Sequence, residues 1–567
     1  MENFFEAVTI VSDKQRLTWN SLKVLFPTYL ILAVLIIIPL TMVFATSIFP
    51  NNHLDLMAPL RALVEKNLTE VVLNSVGLGF WVVIGATLIA FPVAFLFSKT
   101  WLQRYQWLDI IVLIPFMTPP YISSMGWILF MQPRGYLQQI FPGLAWLSKG
   151  FFSLFGLVLI MSLHSFPFIY LILKNTLRQI SGSLEEAAAV HGGGFGYRLR
   201  KIIIPLVIAS YGSGALLVFV KTISEFGTPI TMGRQIRFHV LTTEIHRLTT
   251  YWPINFGKAS ALSTILLGIC LIFWYSQNVV NRYFTYPLVG TKGARSKLYV
   301  PGFLGKAAIW GYLMIIFAVA IGIPYFAVIT TSILKLQGYG LASGNYTWDH
   351  YRELLAWGSR GLNALGVSMG LAVITATVAS IIGTFLALAV NHRNSPLHRL
   401  ADFFSLLPNT VPNIVMIVGL ILYWNAPWMK LKIYNTYWMM LVTYVVLFLP
   451  FTVQYVKAVY SKLDPKLFQA GQVTGGRPGY VFRRILIPLL VPGILAGWAM
   501  TFIISVRELV ASLMILPPGV ENSARFIFAQ FDQGSSALGM AMAVVSMLSS
   551  TLILLLIHRF LPIRNEL

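Results

Sequence analysis

The sequence predicts an all-α polytopic membrane protein with about twelve transmembrane helices, arranged as two parallel six-helix repeats. Three observations carry that prediction. Apolar types make up 57% of the 567 residues and charged types only 11%, against the ~25% charged content of soluble proteins. Twelve runs free of Lys, Arg, Asp and Glu recur along the chain, each about long enough to cross the hydrocarbon core of a bilayer. A polar loop pattern is also written twice at one fixed spacing. The apolar content excludes a disordered chain. The single cysteine, Cys270, excludes a disulfide framework and a cysteine-based metal site.

The runs fall at roughly 27–49, 71–97, 110–131, 151–173, 202–220, 259–281, 307–332, 364–390, 403–423, 434–456, 485–506 and 535–557. Each must satisfy its own backbone hydrogen bonds in lipid, which selects helices. The first run starts too late and is too long for the core of a cleavable signal, and it lacks a small-residue cleavage site. It is expected to stay in the membrane.

The net charge of +22 then reads as an orientation signal. Arg282, Lys292, Arg295, Lys297 and Lys306 occupy the segment between spans six and seven with no acid among them. Lys174, Arg178, Arg198, Arg200 and Lys201 follow span four; Lys457, Lys462, Lys466, Arg477, Arg483 and Arg484 follow span ten. With twelve spans all of these loops share one side, together with both termini, and the positive-inside rule makes that side cytoplasmic. An opposite loop mixes Arg61 and Lys66 with Asp55, Glu65 and Glu70. The surplus faces anionic lipid heads and calls for no nucleic-acid partner.

The repeat is legible by offset. Glu186-Ala187-Ala188, Gly192, Ile202, Ile204 and Pro205 recur as Gln469-Ala470-Gly471, Gly475, Ile485, Ile487 and Pro488, every pair 283 residues apart. Glu225 and Glu508 keep the same offset, while Pro115 and Pro119 match Pro408 and Pro412 at 293. A longer outer loop near 132–150 accounts for the difference. The expected organisation is a first transmembrane half at 1–281, a basic linker at 282–306 and a second transmembrane half at 307–567. Six spans return the chain to its starting side, so the halves run parallel.

Within the repeated loop, residues 183–191 read as a short helix with Ser183 as N-cap and Glu186 three residues on, a capping-box spacing. Gly192, Gly193 and Gly194 break it, since glycine tolerates the positive φ of a tight reversal. Residues 195–204 resume as a basic amphipathic helix, and Pro205 marks entry to the membrane. The second copy breaks at Gly475, Gly476 and Arg477-Pro478-Gly479. A short helix held at the ends of two membrane helices is well shaped to be pushed. Its small alanines permit close docking, and its carboxylate can pair with an arginine.

Glu-Ala-Ala, three residues, Gly, nine residues, Ile-x-Ile-Pro resembles the EAA loop of binding-protein-dependent ABC importer permeases. The resemblance covers nearly the whole chain. It implies that the short helix of each loop seats in a cleft of a cytoplasmic ABC ATPase homodimer and passes its motion to the membrane. The coupling residues would be Glu186, Ala187, Ala188, Gly192 and Pro205 in the first copy, and Gln469, Ala470, Gly471, Gly475 and Pro488 in the second. Gln469 stands where the family pattern has glutamate and Gly471 where it has alanine, so the two contacts are expected to be unequal. An extracytoplasmic substrate-binding protein and a bacterial inner-membrane location are further implications. No Walker A pattern occurs in the chain. ATP would therefore be bound by the partner, and this chain is expected to hold no cofactor and no catalytic residue.

The strings LIPFMTPPYISSMGW (113–127), SEFGTPITMG (224–233) and RELVASLMILPPG (507–519) look most like ferric-iron permeases. Similar permeases handle 2-aminoethylphosphonate, thiamine, polyamines, sulfate and molybdate. Lys221, Glu225, Arg507 and Glu508 flank the outer ends of spans five and eleven and are candidates for the translocation path; interfacial snorkelling is the alternative. His164 reads as a helix-packing residue. No span carries a metal-ligand cluster, so no metal site is expected. An ion-coupled secondary transporter also often has twelve spans, but the span interiors here hold no carboxylate. A membrane enzyme would ask for clustered acids, whereas Glu225 and Glu508 are single.

Overall fold

The computed structural model describes residues 19–49, 53–62, 64–180, 182–283, 298–391, 396–464 and 466–560. Among these the chain is helical, with no strand and two isolated bridges, Thr100 to Tyr299 and Leu334 to Tyr346. Among the described residues nine helices are long and apolar enough to cross a membrane, and three bent helix pairs raise the number to as many as twelve when each pair counts as one span.

The bends fall at the repeated prolines. Helix Trp107–Met117 ends at Thr118, and the chain restarts as Pro120–Met131 after a turn of 87°. In the second half the turn before Asn413–Trp424 is 107°. Proline forces the residue before it out of the helical region, and Thr118 is extended at φ −76°, ψ 135°. Pro119 and Pro412 then adopt one conformation 293 residues apart, φ −57° with ψ 130° and 134°. The third and ninth predicted runs are thus broken rather than straight. A third pair, residues 195–208 and 210–224, bends by 57°.

Proline also explains the wide turns. Four π-turns, Ala33–Ile37, Leu199–Ile203, Ala318–Gly322 and Phe482–Leu486, each run directly into an Ile-Pro pair. The proline nitrogen has no hydrogen to donate, and a π-turn absorbs the missing bond without ending the helix.

The chain folds into two compact units, and each takes in a membrane helix from the opposite half of the repeat. One unit joins the helix pair Trp19–Leu32 and Ile38–Ile48 to Tyr351–Leu567. There Gly419 lies against Pro39 so closely that a β-carbon would come 2.5 Å from the proline carbonyl oxygen. The other joins Phe303–Phe317 and Ile323–Ser332 to the first half. There a β-carbon on Gly126 would come 2.6 Å from the carbonyl oxygen of Pro324. Small residues elsewhere let helices approach without a hydrophobic drive between them. Gly383 and Gly497 both abut Thr452 in the first of these units, and Gly85 abuts Ser162 in the second.

Most of the basic linker, including Lys292, Arg295 and Lys297, lies outside the described residues, as does the side chain of Arg282. Its end is described. Trp101 N–H donates to Tyr299 O at 3.2 Å and Tyr299 N–H to Lys99 O at 2.9 Å, which fixes where the following helix enters.

Candidate coupling loops and buried carboxylates

The first repeated loop is a helix, Gly182–Val190. It begins one residue ahead of Ser183, so the predicted cap lies inside the first turn. Its end is a complete Schellman reversal. Gly192 N–H reaches Ala189 O at 3.0 Å, Gly193 N–H reaches Ala188 O at 2.7 Å, and Gly192 sits at φ +80°. The second loop is a helix at Lys466–Val473. Gly475 sits at φ +83° and Gly476 N–H reaches Gly471 O at 3.0 Å. The two reversals share the positive-φ glycine and the longer-range of the two closing hydrogen bonds, 283 residues apart. Pro205 and Pro488 each lie in the first turn of the helix that follows, Ile204–Ser224 and Ile487–Val506.

Glu186 and Ala187 are exposed and Ala188 is partly covered; Ala470 is exposed. The side chain of Gln469 lies outside the described residues. Gly471 is explained by its neighbours: a β-carbon there would stand 2.7 Å from Ile485 Cδ1 and 3.2 Å from Val481 Cγ2. Around each loop helix three large apolar side chains stand in the open at matched positions, and the first copy exposes Phe195 as well. The matched ones are Leu184, Val190 and Tyr197 in one copy and Leu467, Val473 and Tyr480 in the other, with Val190 84% and Val473 87% exposed. All three pairs keep the 283 offset.

Each loop helix is anchored differently. Lys99 Nζ lies 2.6 Å from a Glu185 carboxylate oxygen, both side chains largely covered. The position equivalent to Glu185 is Phe468, which is buried. Beneath the loops a second ion pair repeats: Lys174 bonds Asp109, which also accepts from the Tyr170 hydroxyl, and Lys457 bonds Asp402. The aspartates are 293 apart and the lysines 283 apart. In the sequence the two lysines count only as orientation charges and the two aspartates go unmarked, although extending the offsets already found for the prolines and the Glu-Ala-Ala loop reaches all four.

The two predicted path carboxylates act on backbone. Glu225 follows helix Ile204–Ser224, and both its carboxylate oxygens lie 3.1 Å from the Thr228 nitrogen, which donates to them. Glu508 accepts from Val510 N–H at 3.0 Å and Ala511 N–H at 3.3 Å, and from Asn413 Nδ2 at 3.2 Å. Each satisfies amides that open the next helical segment, the work of a cap. Glu508 is 7% exposed, and its surroundings form a polar cluster. Tyr444 Oη lies 3.1 Å from Ser512 Oγ, and Asn522 Nδ2 donates to Ser512 Oγ at 2.6 Å. Lys221 stands half-buried in the last turn of its helix, and Arg507 ends the helix Ile487–Val506. His164 packs near the Phe116 ring, 6.5 Å between centroids.

A doubled all-helical membrane domain with one Glu-Ala-Ala-type loop per half defines a transport permease. The chain belongs to the family of binding-protein-dependent transport system inner membrane components, which matches residues 86–286 and again 379–564. The Fe(3+)-transport system permease protein FbpB 2 of Haemophilus influenzae is 24% identical over 94% of this chain and 97% of that protein. The ferric transport system permease protein FbpB of Actinobacillus pleuropneumoniae is 23% identical over 89% of this chain and 73% of its own length. PhnV of Salmonella typhimurium, assigned by name to a 2-aminoethylphosphonate transport system, is 26% identical over 45% of this chain and 94% of its own.

Proposed function

We propose that this permease imports ferric iron, received from an extracytoplasmic binding protein and moved by a cytoplasmic ABC ATPase homodimer that grips both repeated loops. The observation that carries the reading is the matched pair of loops. Each presents a short helix ended by the same glycine reversal, and each surrounds it with three exposed apolar side chains. In this reading Glu186, Ala187, Ala188, Gly192 and Pro205 couple the first ATPase subunit, and Gln469, Ala470, Gly471, Gly475 and Pro488 the second. Closure of the ATPase biases a two-state bundle, and the broken proline spans are the elements built to change. Both loops and both termini lie in the cytoplasm on the span count. The chain itself catalyses nothing and binds no cofactor.

The two ferric relatives, matched over 97% and 73% of their own lengths, support the cargo. 2-Aminoethylphosphonate is the second reading, supported by the half-length relative. Proteoliposomes holding the chain and its ATPase, supplied with the binding protein loaded with radiolabelled ferric ion, test it. ATP-dependent accumulation of iron is expected. Accumulation of 2-aminoethylphosphonate in its place reassigns the cargo, and uptake driven by an ion gradient without ATP overturns the permease mechanism.

In the same reading Lys221, Glu225, Arg507 and Glu508 border the translocation path. The carboxylates do so as caps on the backbone at the breaks.

A further inference from the structure

An apolar crevice of about 430 Å³ opens beside the first coupling loop. Its walls come from Phe91 and Phe95 of helix Lys66–Lys99, from Phe195 and Leu199 just past the glycine reversal, and from Ala308 and Tyr312 of helix Phe303–Phe317. Phe95 and Phe195 meet edge to face at 5.8 Å, so the crevice touches the loop itself. All of these residues belong to one compact unit.

The charge around it has one sign. The wall stretches 91–99, 195–201 and 303–312 contain Lys99, Arg198, Arg200, Lys201 and Lys306 and no acidic residue. Lys99 is taken by Glu185. Arg198, next to the wall residue Leu199, has its Nε buried with no hydrogen-bond partner. Its counterpart in the repeat is Val481, fully buried. The first half therefore carries a partly buried guanidinium where the second carries an aliphatic side chain, and a hydrogen-bond donor left without a partner calls for an acceptor. Tyr105 and Trp310, edge to face at 6.3 Å, are amphipathic rings of the type found at headgroup level, and Trp310 directly follows the wall residue Ile309.

We infer that the crevice binds an anionic phospholipid of the inner leaflet, with an acyl chain between Phe91, Phe95 and Tyr312 and its phosphate accepting from Arg198. An apolar slot suits the chain, and a guanidinium fits a phosphate by charge-assisted hydrogen bonds. The lipid bridges the coupling loop to two membrane helices and so governs how firmly the loop transmits motion. This rests on the loop orientation proposed above.

The test is lipid retention, which does not depend on transport. The full chain with its ATPase is purified from nanodiscs of phosphatidylcholine and phosphatidylglycerol, and bound lipid is counted by native mass spectrometry. Wild type is expected to keep one phosphatidylglycerol with a preference of about tenfold over phosphatidylcholine. Arg198→Gln is expected to lose the preference but keep a bound lipid; Ala308→Trp, which fills the slot, is expected to lose both. Equal retention of the two lipids by wild type, or unchanged phosphatidylglycerol in both variants, overturns the inference. ATP-driven uptake that persists in that case leaves the permease reading standing.

Discussion

Gly126 and Pro324 stand 198 positions apart in the sequence and touch backbone to backbone, leaving no room for a β-carbon at Gly126. Gly419 and Pro39 repeat the contact in the other compact unit. In both, the glycine belongs to the broken span that follows the repeated proline, and the proline to a helix from the opposite half. Gly126→Leu and Gly419→Leu are each expected to cost about 1–3 kcal/mol through overpacking. Gly77→Leu, where a side chain meets open space, should be near neutral. Thermal unfolding of the detergent-solubilised protein measures all three; a Gly126→Leu midpoint equal to wild type would refute the contact.

Gly192→Val and Gly475→Val are expected to uncouple ATP hydrolysis from uptake. A β-branched residue at φ near +80° strains the reversal by about 1–2 kcal/mol, and the loop helix loses its fixed end. The ratio of ATP hydrolysed to cargo accumulated reports it. Both variants should hydrolyse ATP with uptake reduced several-fold, and a normal ratio in both defeats the expectation.

Glu185→Gln and Lys99→Met should each loosen the first loop helix by about 1.5–3 kcal/mol, the range for a hydrogen bond to a charged group. The double variant should cost less than the two singles added, because the partners act as one unit. Hydrogen exchange across residues 182–190 is the readout. Additive costs would show that the pair contributes nothing to holding the helix.

Glu186→Ala is expected to weaken recovery of the ATPase with solubilised membranes more than Gln469→Ala does. The first removes a charge at the coupling position and the second removes a neutral amide. Equal loss from both contradicts the asymmetry.

The sequence made the membrane class, the number of spans and the doubling plain, because each rests on composition, run length or offset. It also placed both glycine reversals, since a positive φ has few residues that accept it. The breaks in spans three and nine were present as Pro119 and Pro412 but were read only as repeat markers. An apolar run looks the same whether it passes straight through or turns by about a right angle. The ion pairs Asp109–Lys174 and Asp402–Lys457 could have been reached by the same offset arithmetic. The pairing of Lys99 with Glu185 could not, because Phe468 replaces the acid in the second copy and no offset points to it. The exchange of helices between units left no local mark at all: Pro39 and Gly419 carry no pattern that says they meet.

That exchange bears on how the protein is made. The helix ending at Ile48 is synthesised early, yet the surface that receives Pro39 belongs to Asn413–Trp424, among the later spans to leave the ribosome. For most of translation this helix waits in lipid without its native neighbour, and its apolar flanks must be tolerable to the bilayer on their own. Cutting the gene between the halves would yield two fragments that each lack a packing partner for one helix. Neither could finish folding until it found the other.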